Sequence, residues 1–196
     1  KEVFNILSLA WEKGIKSFDT APGYGSENIL GEFIAANGLQ NEIIMLTKIP
    51  SLEGSSDYHK LIRSNIETSL KYLGSNIDVL FFHNPVDSIL LIKDFDYFES
   101  LLNEYPVSQL GVSVYCPDEM ERLNSCQFDL AVQFPYNILD RRFENIIMKN
   151  KLRYARSIFL QGILVSKKYI IERVPIGLKK FIERFIISLR KRKLIL

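Results

Sequence analysis

The stretch FDTAPGYGSE, residues 18–27, reads as the end of a buried strand, a tight turn and the start of a helix. Phe18 belongs to an apolar run that begins at Ile15 and stops at Asp19, and Pro22, Gly23 and Gly25 punctuate the turn that follows. The same grammar recurs downstream. Strand-like runs are expected over 15–19, 43–48, 77–83, 108–114, 130–134 and 156–160. Helical periodicity fills 26–37, 58–73, 94–104, 117–124 and 140–150 between them. The opening segment is helical from its first turn (Val3, Phe4, Ile6, Leu7, Ala10, Trp11), and LKKFIERFIISLRKRKLIL at 178–196 forms a last amphipathic stretch. Ser26, Asp57 and Asp118 are the expected helix starts, because their side-chain oxygens can accept from the free N–H groups of a first turn.

Short apolar strands alternating with helices indicate an α/β fold built on a parallel sheet. Strand starts about 20 to 35 residues apart suit a (β/α)8 barrel. A doubly wound open sheet has similar spacing. The polar residues decide between them: Asp19, Lys48, His83, Ser113 and Gln133 all stand at or near the C-terminal ends of different strands. In a barrel those ends share one mouth, where active sites are assembled.

The rest of the composition narrows the classes. The chain has 196 residues, a net charge of +2, 47% hydrophobic and 24% charged residues, which excludes disordered and fibrous classes and suits one folded domain over 1–196. Cys116 and Cys126 are too few for a disulfide framework and lack the spacing of a zinc site, so a reducing, cytoplasmic compartment is expected. No run is long and apolar enough for a membrane span, and KEVFNILSLAWEKG is not built as an export signal. With so small a net charge and no aromatic-basic motif, nucleic acid is not an expected partner. The basic cluster near the C-terminus reads as a solvated helix face.

Tyr24 is expected at the barrel mouth, returned there by the turn. A phenol becomes a proton donor when a neighbouring ammonium stabilises its phenolate, and Lys48 ends the next strand. Asp19 can hold Lys48 as its counter-ion. The plainer alternative is a structural Asp19–Lys48 ion pair with Tyr24 packed over it. His83, in FFHNP at 81–85, is expected to point into the same mouth, donating to a substrate carbonyl or relaying a proton to Tyr24. His59, in a helix start, reads as structural.

FDTAPGYGSE, LTK and FFHNP, in this order and spacing, resemble the aldo-keto reductase superfamily, which uses an Asp, a Tyr, a Lys and a His in these contexts. QLGVSVY at 109–115, AVQFPYN at 131–137 and RSIFLQGIL at 156–164 resemble that family's fifth, sixth and seventh strands. FPYNILDRR and RSIFLQG are similar to the bacterial branch found with surface-polysaccharide genes. The resemblance implies hydride transfer from NADP(H), or from NAD(H), to the carbonyl carbon of a small aldehyde or ketone, with Tyr24 protonating the oxygen. It places Tyr24, Lys48, Asp19 and His83 in catalysis. It also places Asp19, Ser113, Gln133 and Arg156 beside the cofactor, Arg156 standing where the family stacks an aromatic ring on the nicotinamide. The Asn that follows the Ser in the family is replaced by Val114.

Set against the family, the chain begins after strand one and ends before strand eight. The expectation is therefore an incomplete (β/α)8 barrel carrying strands two to seven, without the phosphate-binding segment, with weak to undetectable cofactor binding and with truncation as a route to inactivity in this chain. Two other functions compete: a non-catalytic binding or regulatory module on the same scaffold, and a Schiff-base aldolase using Lys48. A metal hydrolase is not expected, because neither of the two histidines belongs to a ligand pair. Substrate identity and oligomeric state are not legible in the sequence.

Overall fold

Each strand of the sheet lies beside the next one in the chain, so the order is β1-β2-β3-β4-β5-β6 with no reversal. The strands are β1 (Ser17–Asp19), β2 (Ile44–Ile49), β3 (Ile77–Phe82), β4 (Val107–Ser113), β5 (Ala131–Pro135) and β6 (Arg153–Arg156). They are seen in a computed structural model that describes residues 2–146 and 152–160. A doubly wound sheet reverses its strand order at a switch point, whereas a singly wound barrel adds strands in sequence. The observed order is the barrel's.

The helices are α1 (Glu2–Glu12), α2 (Glu27–Asn37), α3 (Tyr58–Leu73), α4 (Leu90–Lys93), α5 (Phe95–Glu104) and α6 (Pro117–Arg122). The chain divides into two compact units. The first holds the described residues 2–134, 146 and 152–154; the second holds 135–145 and 155–160.

In the first unit β1 to β5 pair in parallel, in a register that aligns Lys48, Phe81, Gly111 and Ala131 across β2 to β5. Side chains alternate along a strand, so Leu46 and Lys48 share one face of β2 while Thr47 takes the other, where its hydroxyl donates to the buried Glu27 carboxylate of α2 at 2.7 Å. Leu46, Val79, Phe81 and Ala131 form a buried cluster with Tyr154 of β6 packed against it. The rings of Phe81 and Tyr154 meet edge to face with centroids 5.7 Å apart. In a flat sheet two strands three positions apart would be separated by about 14 Å, so this contact requires the sheet to curl around its interior. Gly111 makes room there: a Cβ on it would fall 2.5 Å from the Phe81 ring and 2.9 Å from the Ala131 carbonyl oxygen.

Outside the sheet, α3 and α5 are tied by polar aromatic contacts. Asp94, just before α5, accepts from the Tyr58 hydroxyl at 2.6 Å and lies 2.5 Å from His59 Nε2. The Tyr58 hydrogen bond, followed by that of His59, holds the Asp94 carboxyl below its ordinary range. Its counterpart pushes the Tyr58 phenol up to about 12. His59 also stacks on Tyr97 at 3.8 Å, and Arg63 donates to both carboxylate oxygens of Glu104 at 2.5 Å.

In the second unit, Asn137 Oδ1 accepts from the backbone N–H groups of Leu139 and Asp140. Arg142 donates twice to the Asp140 carboxylate, which lowers the carboxyl's pKa.

Several expectations are corrected. The last described strand is β6 at Arg153–Arg156 rather than 156–160, because its ladder is fixed by Val132 N–H to Leu152 O and Tyr136 N–H to Arg156 O. Ser157 and Leu160 then take the left-handed region, with φ of 59° and 50°, which ends extended pairing. Residues 140–146 form turns instead of the start of a helix over 140–150, since the Asn137 and Asp140 bonds bind that backbone locally; 147–150 lie outside the described residues. The cap of α6 is Cys116 with Glu119, not Asp118. Ser26 stands at the start of α2, but its hydroxyl pairs with Thr20 Oγ1 at 2.7 Å and makes no cap bond. The amphipathic stretch 178–196 lies outside the described residues, as do residues 166–196 as a whole, over which no phosphate-binding segment is expected.

Candidate active site

The turn after β1 fixes the first two site residues. Asp19 ends the strand, and the chain then makes a short 3-10 turn, Pro22–Tyr24, with proline at its start. Gly25 closes that turn at φ 65°, a conformation a β-carbon would strain. Tyr24 is left 58% exposed.

Lys48 is contributed by β2 and is 2% exposed. Burying an ammonium is costly unless its donors are met, and here Nζ donates to Asp19 Oδ1 at 2.5 Å and to the Thr20 carbonyl oxygen at 2.9 Å. Nζ also lies 5.3 Å from the centroid of the Tyr24 ring. His83 follows β3, its N–H donating to Ile49 O at 3.1 Å. Its ring meets that of Tyr24 with centroids 6.2 Å apart at 86°. The four residues expected at a common mouth are thus brought together.

Ser113 and Gln133 are paired across β4 and β5, with Ser113 Oγ 3.5 Å from Gln133 Oε1, and both are buried. A hydroxyl beside a primary amide supplies donors and acceptors that complement a carboxamide, so these residues fit the nicotinamide end of the expected cofactor. Val114, in the place of the family's Asn, is fully buried and its N–H donates to Gln133 O at 2.8 Å. Arg156 ends β6 and belongs to the second unit, where its carbonyl accepts from Tyr136 N–H at 3.0 Å.

A cleft of about 420 Å³ lies beside His83, lined by Ser51, Asn84, Pro85, Val86, Tyr115 and Glu119 as well. Sequence reasoning missed Ser51, Asn84 and Glu119, although Ser51 and Asn84 fall just past strand ends, where barrel sites are built. The Thr20 carbonyl was missed too, since no side-chain pattern marks it. A larger cleft of about 650 Å³ opens around the strand starts, where Asp78 and Ser108 lie, away from these residues.

Strands added in chain order and curled around an interior, with a polar cluster at their C-terminal ends, define a partial (β/α)8 barrel. Within that class the chain belongs to the aldo/keto reductase family, whose pattern matches residues 1–175. It is 26% identical over 158 residues to the aldo-keto reductase YhdN of Bacillus subtilis strain 168, covering 76% of this chain and 47% of that protein. The glycerol dehydrogenase AKR11B4 from Gluconobacter oxydans has a similar structure, with a TM-score of 0.69 and 25% identity over 89% of this chain and 58% of its own. The aldo-keto reductase AKR2E5, solved in complex with NADPH, matches with a TM-score of 0.57 and 21% identity over 69% of this chain and 45% of its own. The chain spans about half the length of the curated relatives it matches. Among the described residues, no helix is long and apolar enough to cross a membrane.

Proposed function

We propose that this chain carries the carbonyl-reducing site of a nicotinamide-dependent oxidoreductase, acting on a small aldehyde or ketone with NADP(H) or NAD(H). Family membership and the NADPH-bound relative support the cofactor class. The observation that carries the reading is the buried Lys48 ammonium, clamped by Asp19 and lying beneath the Tyr24 ring.

The cofactor supplies the hydride that the substrate carbon receives. The protein does the rest. His83, edge-on to Tyr24, positions the carbonyl oxygen. The Tyr24 hydroxyl donates its proton to that oxygen as the carbonyl becomes an alcohol. The phenolate left behind is stabilised by the Lys48 ammonium, whose place is held by Asp19 and the Thr20 carbonyl. Tyr24 is more than half exposed, so solvent can return its proton. Ser113 and Gln133 would hold the carboxamide, their hydroxyl and primary amide supplying matching donors and acceptors. Arg156 carries no step in this scheme. A reducing, cytoplasmic setting belongs to the same reading, in keeping with Cys116 and Cys126, both free thiols.

The test is carbonyl-dependent oxidation of NADPH by the chain, followed by its absorbance, with DL-glyceraldehyde as substrate and borohydride added in parallel. The reading predicts loss of NADPH absorbance and no trapped adduct on Lys48. A trapped adduct without NADPH oxidation would replace it with the Schiff-base chemistry.

A further inference from the structure

We infer that the cleft beside His83 selects neutral, hydroxyl-bearing carbonyl compounds over those carrying a carboxylate or phosphate, and that Glu119 makes the distinction. The inference rests on the reductase reading above and adds the substrate class.

Three polar groups around the cleft have hydrogen-bonding capacity left over. Asn84 uses its oxygen to accept from Val86 N–H and one amide hydrogen to reach Ser51 Oγ, both at 3.2 Å, which leaves the second amide hydrogen available. Ser51 Oγ accepts from Asn84 and from Glu53 N–H, so its own O–H remains to donate. Glu119 uses Oε2 alone for the backbone N–H groups of Tyr115 and Cys116, at 2.7 and 3.2 Å, while Oε1 accepts nothing among the described residues. Two donors and one acceptor around a small volume suit hydroxyl groups, which need both. The Tyr115 ring, 48% exposed, offers an apolar wall for the carbon chain between them.

Charge points the same way. Glu119 is the carboxylate lining the cleft beside His83, and no lysine or arginine lines it among the described residues. Lys48 is clamped by Asp19, and Asp87 adds a further carboxylate in the 3-10 helix that follows β3, its Oδ2 accepting from Leu52 N–H at 2.9 Å. An anionic substrate would meet a like charge that no lysine or arginine of the cleft offsets; a neutral polyol would meet a hydrogen-bond acceptor.

The experiment compares kcat/KM for DL-glyceraldehyde and for succinic semialdehyde, with NADPH, in the 196-residue chain and in Glu119→Gln. The glutamine keeps an oxygen for the two backbone N–H groups. Glyceraldehyde should be preferred about tenfold or more at low salt, and the ratio should shrink about tenfold in Glu119→Gln. Raising the salt should narrow the ratio in the unaltered chain, a reading that stands if the variant does not fold. An unchanged ratio in the variant and in salt, or a preference for the semialdehyde, overturns the inference. If neither compound is reduced, the reductase reading has failed, and saturation-transfer NMR with the same two compounds decides the charge filter. A stronger glyceraldehyde signal that Glu119→Gln equalises upholds it; equal signals in both proteins refute it.

Discussion

Lys48 Nζ and Asp19 Oδ1 stand 2.5 Å apart across the first strand pair, the lysine 2% and the aspartate 36% exposed. Asp19→Asn leaves the ammonium with a neutral partner in a site it cannot leave. Removing one member of a fully buried pair costs ~3–5 kcal/mol, and the partial exposure of Asp19 lowers the expectation to about 1–3 kcal/mol. The urea midpoint of the variant at neutral pH measures it, and a midpoint equal to the parent's would show that Thr20 and water suffice.

Gly111→Ala places a methyl group 2.5 Å from the Phe81 ring and 2.9 Å from a backbone oxygen. Overpacking of this kind costs about 1–3 kcal/mol. Adding Phe81→Leu should restore part of the loss, because the ring can be trimmed but the Ala131 carbonyl cannot. Denaturation of the single and double variants checks this; a harmless single variant would mean the interior is looser than the contacts imply.

The Asp94 carboxyl is held low in the folded state, so its contribution is present above the ordinary carboxylate range and is lost as pH falls through its lowered value. Tyr58 is raised to about 12, so its contribution is present below about 10 and is lost as pH rises through about 12. Tyr58→Phe removes the shared hydrogen bond and should flatten both limbs of the stability profile. Unfolding midpoints from pH 2 to 12 report the outcome, and parallel profiles for the two proteins would contradict it.

Asp57→Ala removes the carboxylate oxygen that accepts from Lys60 N–H at 3.0 Å at the start of α3. Caps of this kind contribute about 1 kcal/mol. A lowered thermal midpoint with an unchanged NADPH oxidation rate is expected, since α3 stands outside the site.

The sheet was legible where strands are continuous apolar runs ending in a polar residue, as at Asp19, Lys48 and His83, because burial on both faces leaves little room for another pattern. The site followed from the same signal. The last strand was misplaced because Ile158 and Phe159 look like strand residues yet are half exposed or more, while RYAR packs Tyr154 inward between Arg153 and the exposed Ala155 and shows no apolar run. Its register is set by hydrogen bonds to residues some 20 positions away, which no local window contains. The helical segment 85–93 was hidden by Pro85, which reads as a turn but also opens a 3-10 helix that runs into α4. Glu119 was hidden for a different reason: its role at the cleft depends on a loop fold that brings the α6 cap beside His83.

In the proposed reaction the Tyr24 hydroxyl delivers the proton. Tyr24→Phe keeps the ring beside Lys48 and His83 but removes that hydroxyl, so the rate of carbonyl reduction at saturating NADPH should fall about 10²- to 10⁴-fold while the fold is retained. A variant that reduces DL-glyceraldehyde as fast as the parent would contradict it.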